Sequence, residues 1–344
     1  MKTPLENQFY MPPEWYPHEC CWMQWPTETF PSEVTSTWSH FDLDKGRIAW
    51  ANVANTISQF ETLKMIVHPD DRKSAISLLN NKVEILELPI NDAWCRDSGA
   101  IFLLNNKNEL GGVDSDFNCW GYKENFELDD KVAKFMIEKT NSKYFKNNMV
   151  LEGGSINVNG KGTMITTEQC LLNKNRNPEL SKEQIEKNLK DYFGVNKIIW
   201  LKHGTDEGTD GHVDNVACFS NSNTILTMTC TDKSDSYYDL LTENLEILRS
   251  STDQDGNPLN IIELEMSKKR LIPNDDEPSS YINFYISNKA IILPIFGDEL
   301  ADENAKKILD SLFQNRQIVC LDGRDIILGG GNIHCITQQQ PRSL

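Results

Sequence analysis

Of 344 residues, 34 are basic and 51 acidic, a formal net charge of −17. That balance excludes a nucleic-acid partner: a polyanion needs a basic stripe to release counterions, and no cluster exceeds Lys268, Lys269 and Arg270. Hydrophobic residues make up 39%, with 8 Trp and 14 Phe, enough for a sizeable core and too many for a disordered chain.

No apolar run approaches the roughly 20 residues of a membrane helix, and the opening MKTPLENQFY lacks a hydrophobic signal core. A cytosolic protein with no membrane partner is expected. Nine cysteines without a CxxC pair fit reduced thiols better than a disulfide framework or a zinc finger.

In chain order, residues 45–60 carry Ile48, Val53, Ile57 and Phe60 near helical spacing, and TLKMIV at 62–67 reads as the strand that follows. A short helix then leads to the strand VEILEL at 83–88. Ser181 caps the clearest helix: Gln184 completes a capping box, Ile185, Leu189 and Phe193 form the apolar stripe, and Gly194 stops it. IIWL at 198–201 is expected as a buried strand. Residues 236–249, with Tyr237, Leu240, Leu241, Leu245 and Leu248, and residues 300–313 read as two further helices, the second feeding the strand IVCL at 318–321. Strands alternating with amphipathic helices predict an α/β protein.

Between the helices one pattern recurs: a small or acidic polar cluster, a short strand, a tight polar turn and usually a second strand. It stands at 96–113, 152–167, 212–228 and 281–296, and GGGNIHCIT at 329–337 reads as a truncated fifth copy. The irregular intervals exclude a solenoid, and five such units suggest a ring around an axis. Length alone suggests two domains. No Gly/Ser-rich or Pro-rich linker divides the chain, however, and the polar stretches 253–258 and 273–280 are short enough for loops, so one domain over residues 1–344 is expected.

The same place in four of the five units carries a chemically useful residue: Asp97 in the first, Glu152 in the second, His212 and Asp214 in the third, Cys335 in the fifth. Each has a bland alternative, since a lone carboxylate is commonly a turn-bonding group and a free cysteine a small core hydrophobe. Convergence on one axis is what would make them a site.

These residues lie in motifs that match a known family. The chain resembles the agmatine deiminases (agmatine iminohydrolases) of the guanidine-modifying, or pentein, superfamily, relatives of the bacterial-type peptidylarginine deiminases. The likeness runs from MPPEWYPHECCWMQWP (11–26) through NDAWCRDSGAIFL, DFNCWG (116–121), LEGGSINVNGKGTMITTEQCLLNKNRNP (151–178) and TDGHVDNVACF to GGGNIHCITQQQP (329–341). It implies a five-bladed α/β propeller of ββαβ-type units, a cysteine nucleophile and no cofactor or metal. It also implies hydrolysis of agmatine to N-carbamoylputrescine and ammonia, in polyamine biosynthesis or agmatine catabolism, by a homodimer or higher homo-oligomer.

Carried over, the resemblance makes Cys335 the nucleophile, His212 with Glu152 the proton-handling pair, and Asp97 with Asp214 the grip on the guanidinium. Trp94 is implied as pocket wall. A guanidinium is a planar, permanent cation with five N–H donors, so two carboxylates can hold it from both sides. Its delocalised charge makes it a poor electrophile, and thiolate is the strongest nucleophile a protein supplies. Gly330 and Gly331 are expected to let the backbone approach substrate, Trp120 stands as a pocket or core aromatic, and His334 is expected to point away from the site along a strand. Asp206, Glu207 and Asp210 are candidates for the distal amine. Rival readings are a deiminase of free or peptidyl arginine, an amidinotransferase, a metal hydrolase using His212, Asp214, Glu152 and Cys335, and an inactive binding module.

Overall fold

The computed structural model describes residues 2–27, 42–123, 125–271 and 278–343. Among them, five small sheets repeat one plan: two antiparallel strands, then a helical crossover to a third strand parallel to the second. The first comprises Ile101–Asn105, Leu110–Asp116 and Lys143–Val150. The second uses Asn157–Val158, Thr163–Thr167 and Lys197–Leu201; the third Ala217–Asn221, Thr224–Thr229 and Asn260–Glu265. The fourth has Tyr285–Ile286, Ala290–Ile295 and Gln317–Asp322.

The fifth sheet joins the two ends of the chain. Gln338–Pro341 runs antiparallel to His18–Gln24, which pairs in parallel with Thr62–Val67 and through it with Val83–Glu87. The copy that looks truncated at 329–337 is therefore completed by the N-terminal strand HECCWMQ. Linear order hid this, because hairpin partners more than 300 residues apart leave no turn to read.

The helices pack because each carries one apolar stripe. Lys182–Phe193 forms as its capping box demands: Ser181 Oγ accepts from Gln184 N–H, Gln184 Oε1 accepts from Ser181 N–H, and Gly194 closes the helix left-handed. Tyr238–Ser250 and Glu299–Leu312 lie within two residues of the expected spans. In Leu43–Ile57, Asp42 caps the first turn and Trp50, Val53, Ala54 and Ile57 are buried. Ile48, expected in that stripe, is instead 50% exposed; at about 100° per residue it points some 200° from Trp50.

The strand Lys197–Leu201 is only partly buried. It is the outer strand of its sheet, and its Trp200 is covered from the helix above by a hydrogen bond to Glu186 and by the Lys182 ammonium, 4.5 Å from the ring centroid. The expected loop at 253–258 is a turn built on Asp253, whose Oδ1 accepts from the N–H groups of Asp255 and Asn257. Residues 273–277 of the other expected loop lie outside the described residues. No helix among the described residues is long and apolar enough to cross a membrane.

The segments leading into the first strand of each sheet touch in sequence. Arg96 N–H donates to the Cys335 carbonyl at 3.1 Å and Gly154 N–H to Asp97 Oδ1 at 3.0 Å. The turns Gly153–Ser155 and Val213–Asn215 pack together. Ser280 Oγ donates to the Asn215 carbonyl at 2.6 Å, and His334 N–H to the Asn283 carbonyl at 3.1 Å. The contacts thus form a closed circuit of five lead-in segments.

Candidate active site

All five residues singled out from the sequence sit in this circuit and are almost inaccessible: Asp97 5%, Glu152 0%, His212 0%, Asp214 2% and Cys335 3% exposed. Cys335 lies on a turn just before Gln338–Pro341, separated from the glycine run 329–331 by Asn332, Ile333 and His334. The space that Gly331 leaves is necessary. A Cβ there would fall 2.7 Å from the Trp94 ring and 3.0 Å from Cys335 Sγ, closer than side chains pack. Gly330 adopts φ +94°, a left-handed conformation that glycine takes without strain.

Cys335 Sγ lies 3.5 Å from Asp214 Oδ2 and accepts from Asn283 Nδ2 at 3.1 Å. Burial, then the Asp214 and Asp97 charges, push the thiol well above its ordinary range, against the hydrogen bonds from the Asn332 backbone and the Asn283 amide. The thiol is therefore the resting form.

His212 faces Asp97 and Glu152 across gaps too long for hydrogen bonds: Nδ1 to Asp97 Oδ1 is 3.7 Å and Nε2 to Glu152 Oε2 is 3.9 Å. Both ring nitrogens, Glu152 Oε2 and Asp214 Oδ1 are buried without a hydrogen-bond partner. Burial alone would push the His212 pKa down, but Asp97, the Cys170 sulfur and Glu152 outweigh it and hold it near 10. Asp97 is raised to about 6 by burial, with His212 opposing and Asp214 and Glu152 adding to the rise. The ring is thus an imidazolium at neutral pH, among carboxylates whose free lone pairs await donors.

A second tier of groups fixes these side chains. Arg176 is wholly buried and donates from Nε to Glu152 Oε1 at 2.6 Å, from Nη1 to Asp210 Oδ2 at 2.7 Å and from Nη2 to the Thr209 carbonyl at 2.8 Å. Asp210, offered from the sequence for a substrate amine, is engaged by Arg176 and by Lys123 at 3.0 Å, and it does not line the pocket. Asp206 is spent on its own turn, accepting from Gly208 N–H and the Thr209 hydroxyl.

His334 does not point away from the site. Residues 333–336 form a turn, not a strand, so the alternation argument does not apply to it. Its Nδ1 pairs with Asp214 Oδ2 at 2.8 Å and its Nε2 with Glu14 Oε1 at 2.9 Å. Burial and Arg96 lower the ring's pKa; Glu14 and Asp214 outweigh them and raise it. This pairing with both carboxylates fixes which Asp214 oxygen remains free.

The pocket over Cys335 is lined by Trp94, Trp120, Gly208, Thr209 and the glycines at 329–331, together with Asp97 and Cys335. Trp120 stands on a left-handed run: Cys119, Trp120 and Tyr122 have φ of 50°, 52° and 65°. Such a run costs energy for residues with a Cβ, and here it aims the indole N–H at Asp97 Oδ2, 3.0 Å away. Sequence reasoning did not reach Gly154, Cys170, Arg176 or Asn283. Gly154 and Arg176 lay inside motifs already quoted, and Asn283 stands in the fourth unit, for which no site residue was named.

A family model described as Porphyromonas-type peptidyl-arginine deiminase matches residues 10–341. A protein of Legionella pneumophila (strain Paris) named putative agmatine deiminase is 44% identical over 344 residues, covering 99% of this chain and 98% of that one. An agmatine deiminase of Medicago truncatula is 38% identical, with 98% of each chain covered. Among solved structures, the agmatine deiminase of Enterococcus faecalis superposes with a TM-score of 0.93 at 34% identity, over 100% of this chain and 99% of that one. That of C. jejuni gives 0.84 at 31%, over 98% and 97%. A match over nearly the whole length, with these relatives, places the chain in the Porphyromonas-type peptidyl-arginine deiminase family.

Proposed function

We propose that this protein is a hydrolase that deiminates agmatine through a covalent amidino-cysteine intermediate, as a single catalytic domain whose five units form a five-bladed α/β propeller around a pseudo-fivefold axis. The observation that carries the reading is a buried cysteine and the Asp97 carboxylate lining one pocket, with Asp214 Oδ2 3.5 Å from the sulfur and the His212 ring 3.7 Å from Asp97. Among the described residues no basic side chain lines that pocket. Arginine would bring an α-carboxylate needing a cationic partner, whereas agmatine brings only a second cation. A cytosolic homo-oligomer fits the composition and the family.

Asp97 and Asp214 hold the guanidinium, and its charge offsets theirs near Cys335, so substrate binding promotes release of the thiol proton to solvent. The thiolate attacks the guanidinium carbon, forming a C–S bond. His212 donates its proton to the departing nitrogen, the C–N bond breaks, and ammonia leaves. Neutral His212 then takes a proton from water as the water oxygen attacks the same carbon. Cleavage of the C–S bond, with the remaining hydroxyl proton lost to solvent, releases the carbamoyl product and restores the thiolate. Arg176 holds Glu152 in place beside His212.

The test is ammonia and ureido product formed from agmatine, measured beside free arginine and an arginine-containing peptide. Agmatine is expected to be turned over fastest; faster turnover of either arginine substrate would overturn the choice of substrate, and amidino transfer to an added amine the hydrolytic reading.

A further inference from the structure

We propose that Asn283 is a further catalytic residue, contributed by the fourth unit, whose side-chain amide donates to Cys335 Sγ and thereby selects the reactive thiolate. This rests on the reading of Cys335 as nucleophile. The other four units each place a charged or nucleophilic group in the circuit of lead-in segments; Asn283, just ahead of Tyr285–Ile286, occupies the corresponding place in the fourth.

The orientation of its amide is determined by its partners. Oδ1 accepts from two backbone N–H groups, those of His334 at 3.0 Å and Cys335 at 3.3 Å, so it must be the oxygen. Nδ2 therefore faces the other way, donating to Asn215 Oδ1 at 3.0 Å and to Cys335 Sγ at 3.1 Å. Asn283 is fully buried, so no water substitutes for either partner. All four hydrogen-bonding positions of the amide are used, and the one directed at sulfur is worth most when that sulfur is an anion, because charge-assisted hydrogen bonds are about twice as strong as neutral ones.

The charged groups around Sγ make such a donor useful. Asp214 and Asp97 face it with negative charge. The His212 and His334 imidazoles stand beyond those carboxylates, and Arg96 binds the Cys335 carbonyl through its backbone. Beside the Asn332 backbone, Asn283 is a neutral side-chain donor that favours the thiolate without competing with substrate for the two carboxylates. It also holds the Cys335 backbone, so one amide both places the sulfur and favours its ionised form.

The experiment measures the pH dependence of Cys335 alkylation by iodoacetamide, with the modified peptide quantified by mass spectrometry, in the full-length wild type and in Asn283→Asp and Asn283→Ala. Asn283→Asp keeps the acceptor for the two backbone N–H groups but loses the donor and adds a negative charge beside the sulfur, whereas Asn283→Ala removes the donor without adding charge, so the alanine variant isolates the loss of the donor. The alkylation midpoint is expected to move up by about one pH unit or more in both variants, about tenfold less thiolate at a given pH, with kcat for agmatine falling in step and KM little changed. An unmoved midpoint in the two folded variants overturns the proposal. In the unsubstituted enzyme, the side-chain ¹⁵N–H resonances of Asn283 are expected to shift at the pH where Cys335 ionises; resonances that stay fixed across that pH overturn it even if neither variant folds. Turnover of agmatine by Cys335→Ser would instead remove the nucleophile reading, a result distinct from either of these.

Discussion

Asp97 Oδ1 and His212 Nδ1 stand 3.7 Å apart in a fully buried site, close enough to raise each other's charge and too far to be hydrogen-bonded. The gap leaves carboxylate lone pairs free for a guanidinium. Because burial, and then the neighbouring Asp214 and Glu152, hold Asp97 near 6, substrate affinity should titrate where an ordinary carboxylate would not. Cys335→Ser should lose turnover by about 10³-fold or more yet still bind agmatine. Calorimetry on that variant should show the dissociation constant rising about tenfold per pH unit below pH ~6. Affinity that stays flat from pH 7 to 4.5 would show that Asp97 is not the group that grips the cation.

Gly154 makes room for the site. A Cβ at this position would fall 2.6 Å from His212 Nδ1 and 2.9 Å from both Asp214 Oδ2 and Asp97 Oδ1. Gly154→Ala should therefore displace three reacting groups at once and lower kcat/KM for agmatine by about 10²-fold, since a shift near 1 Å costs that much. Thermal melting should change far less than activity. An alanine variant with wild-type kinetics would mean that the segment is loose enough to yield.

Arg176 and Glu152 form an ion pair with no solvent access on either side chain. Removing only the cation leaves a buried charge uncompensated, so Arg176→Met should cost about 3–5 kcal/mol of stability. Denaturant unfolding of Arg176→Met beside the double variant Arg176→Met/Glu152→Gln tests this. The double variant should recover part of the loss, and equal losses would argue against coupling.

Much of this site was legible because motifs mark it: Asp97, Glu152, His212, Asp214 and Cys335 each stand in a short polar or glycine-bearing lead-in ahead of a strand. The closed circuit was less so. The N-terminal strand His18–Gln24 completes the last unit across the whole length of the chain, and no local signal announces such a pairing. His334 was misplaced because two-residue alternation was applied to a turn, and Asn283 was passed over because neutral amides carry no signature until their partners are seen. Ile48 shows the same limit on a helix, where the apolar stripe shifted by a fraction of a turn once Trp50 was buried.

Glu14 links the first and last parts of the chain through His334. Burial would raise its pKa, but His334, followed by Arg96 and His18, lowers it from 4.5 to about 2. A carboxylate depressed in the folded state contributes stability that is fully present above pH ~4.5 and lost as the pH falls toward 2, on the order of 3 kcal/mol here. Urea unfolding across this window should show wild-type stability falling more steeply than that of Glu14→Gln. Parallel curves would place the acid sensitivity elsewhere.

The most direct measurement is the mass of Cys335 during turnover. Acid quenching the enzyme within milliseconds of mixing with excess agmatine, followed by peptide mass spectrometry, should find one amidino group on the Cys335 peptide, decaying as ammonia and carbamoyl product accumulate. Product formed at full rate with Cys335 unmodified, or with the group on another residue, would contradict the covalent mechanism.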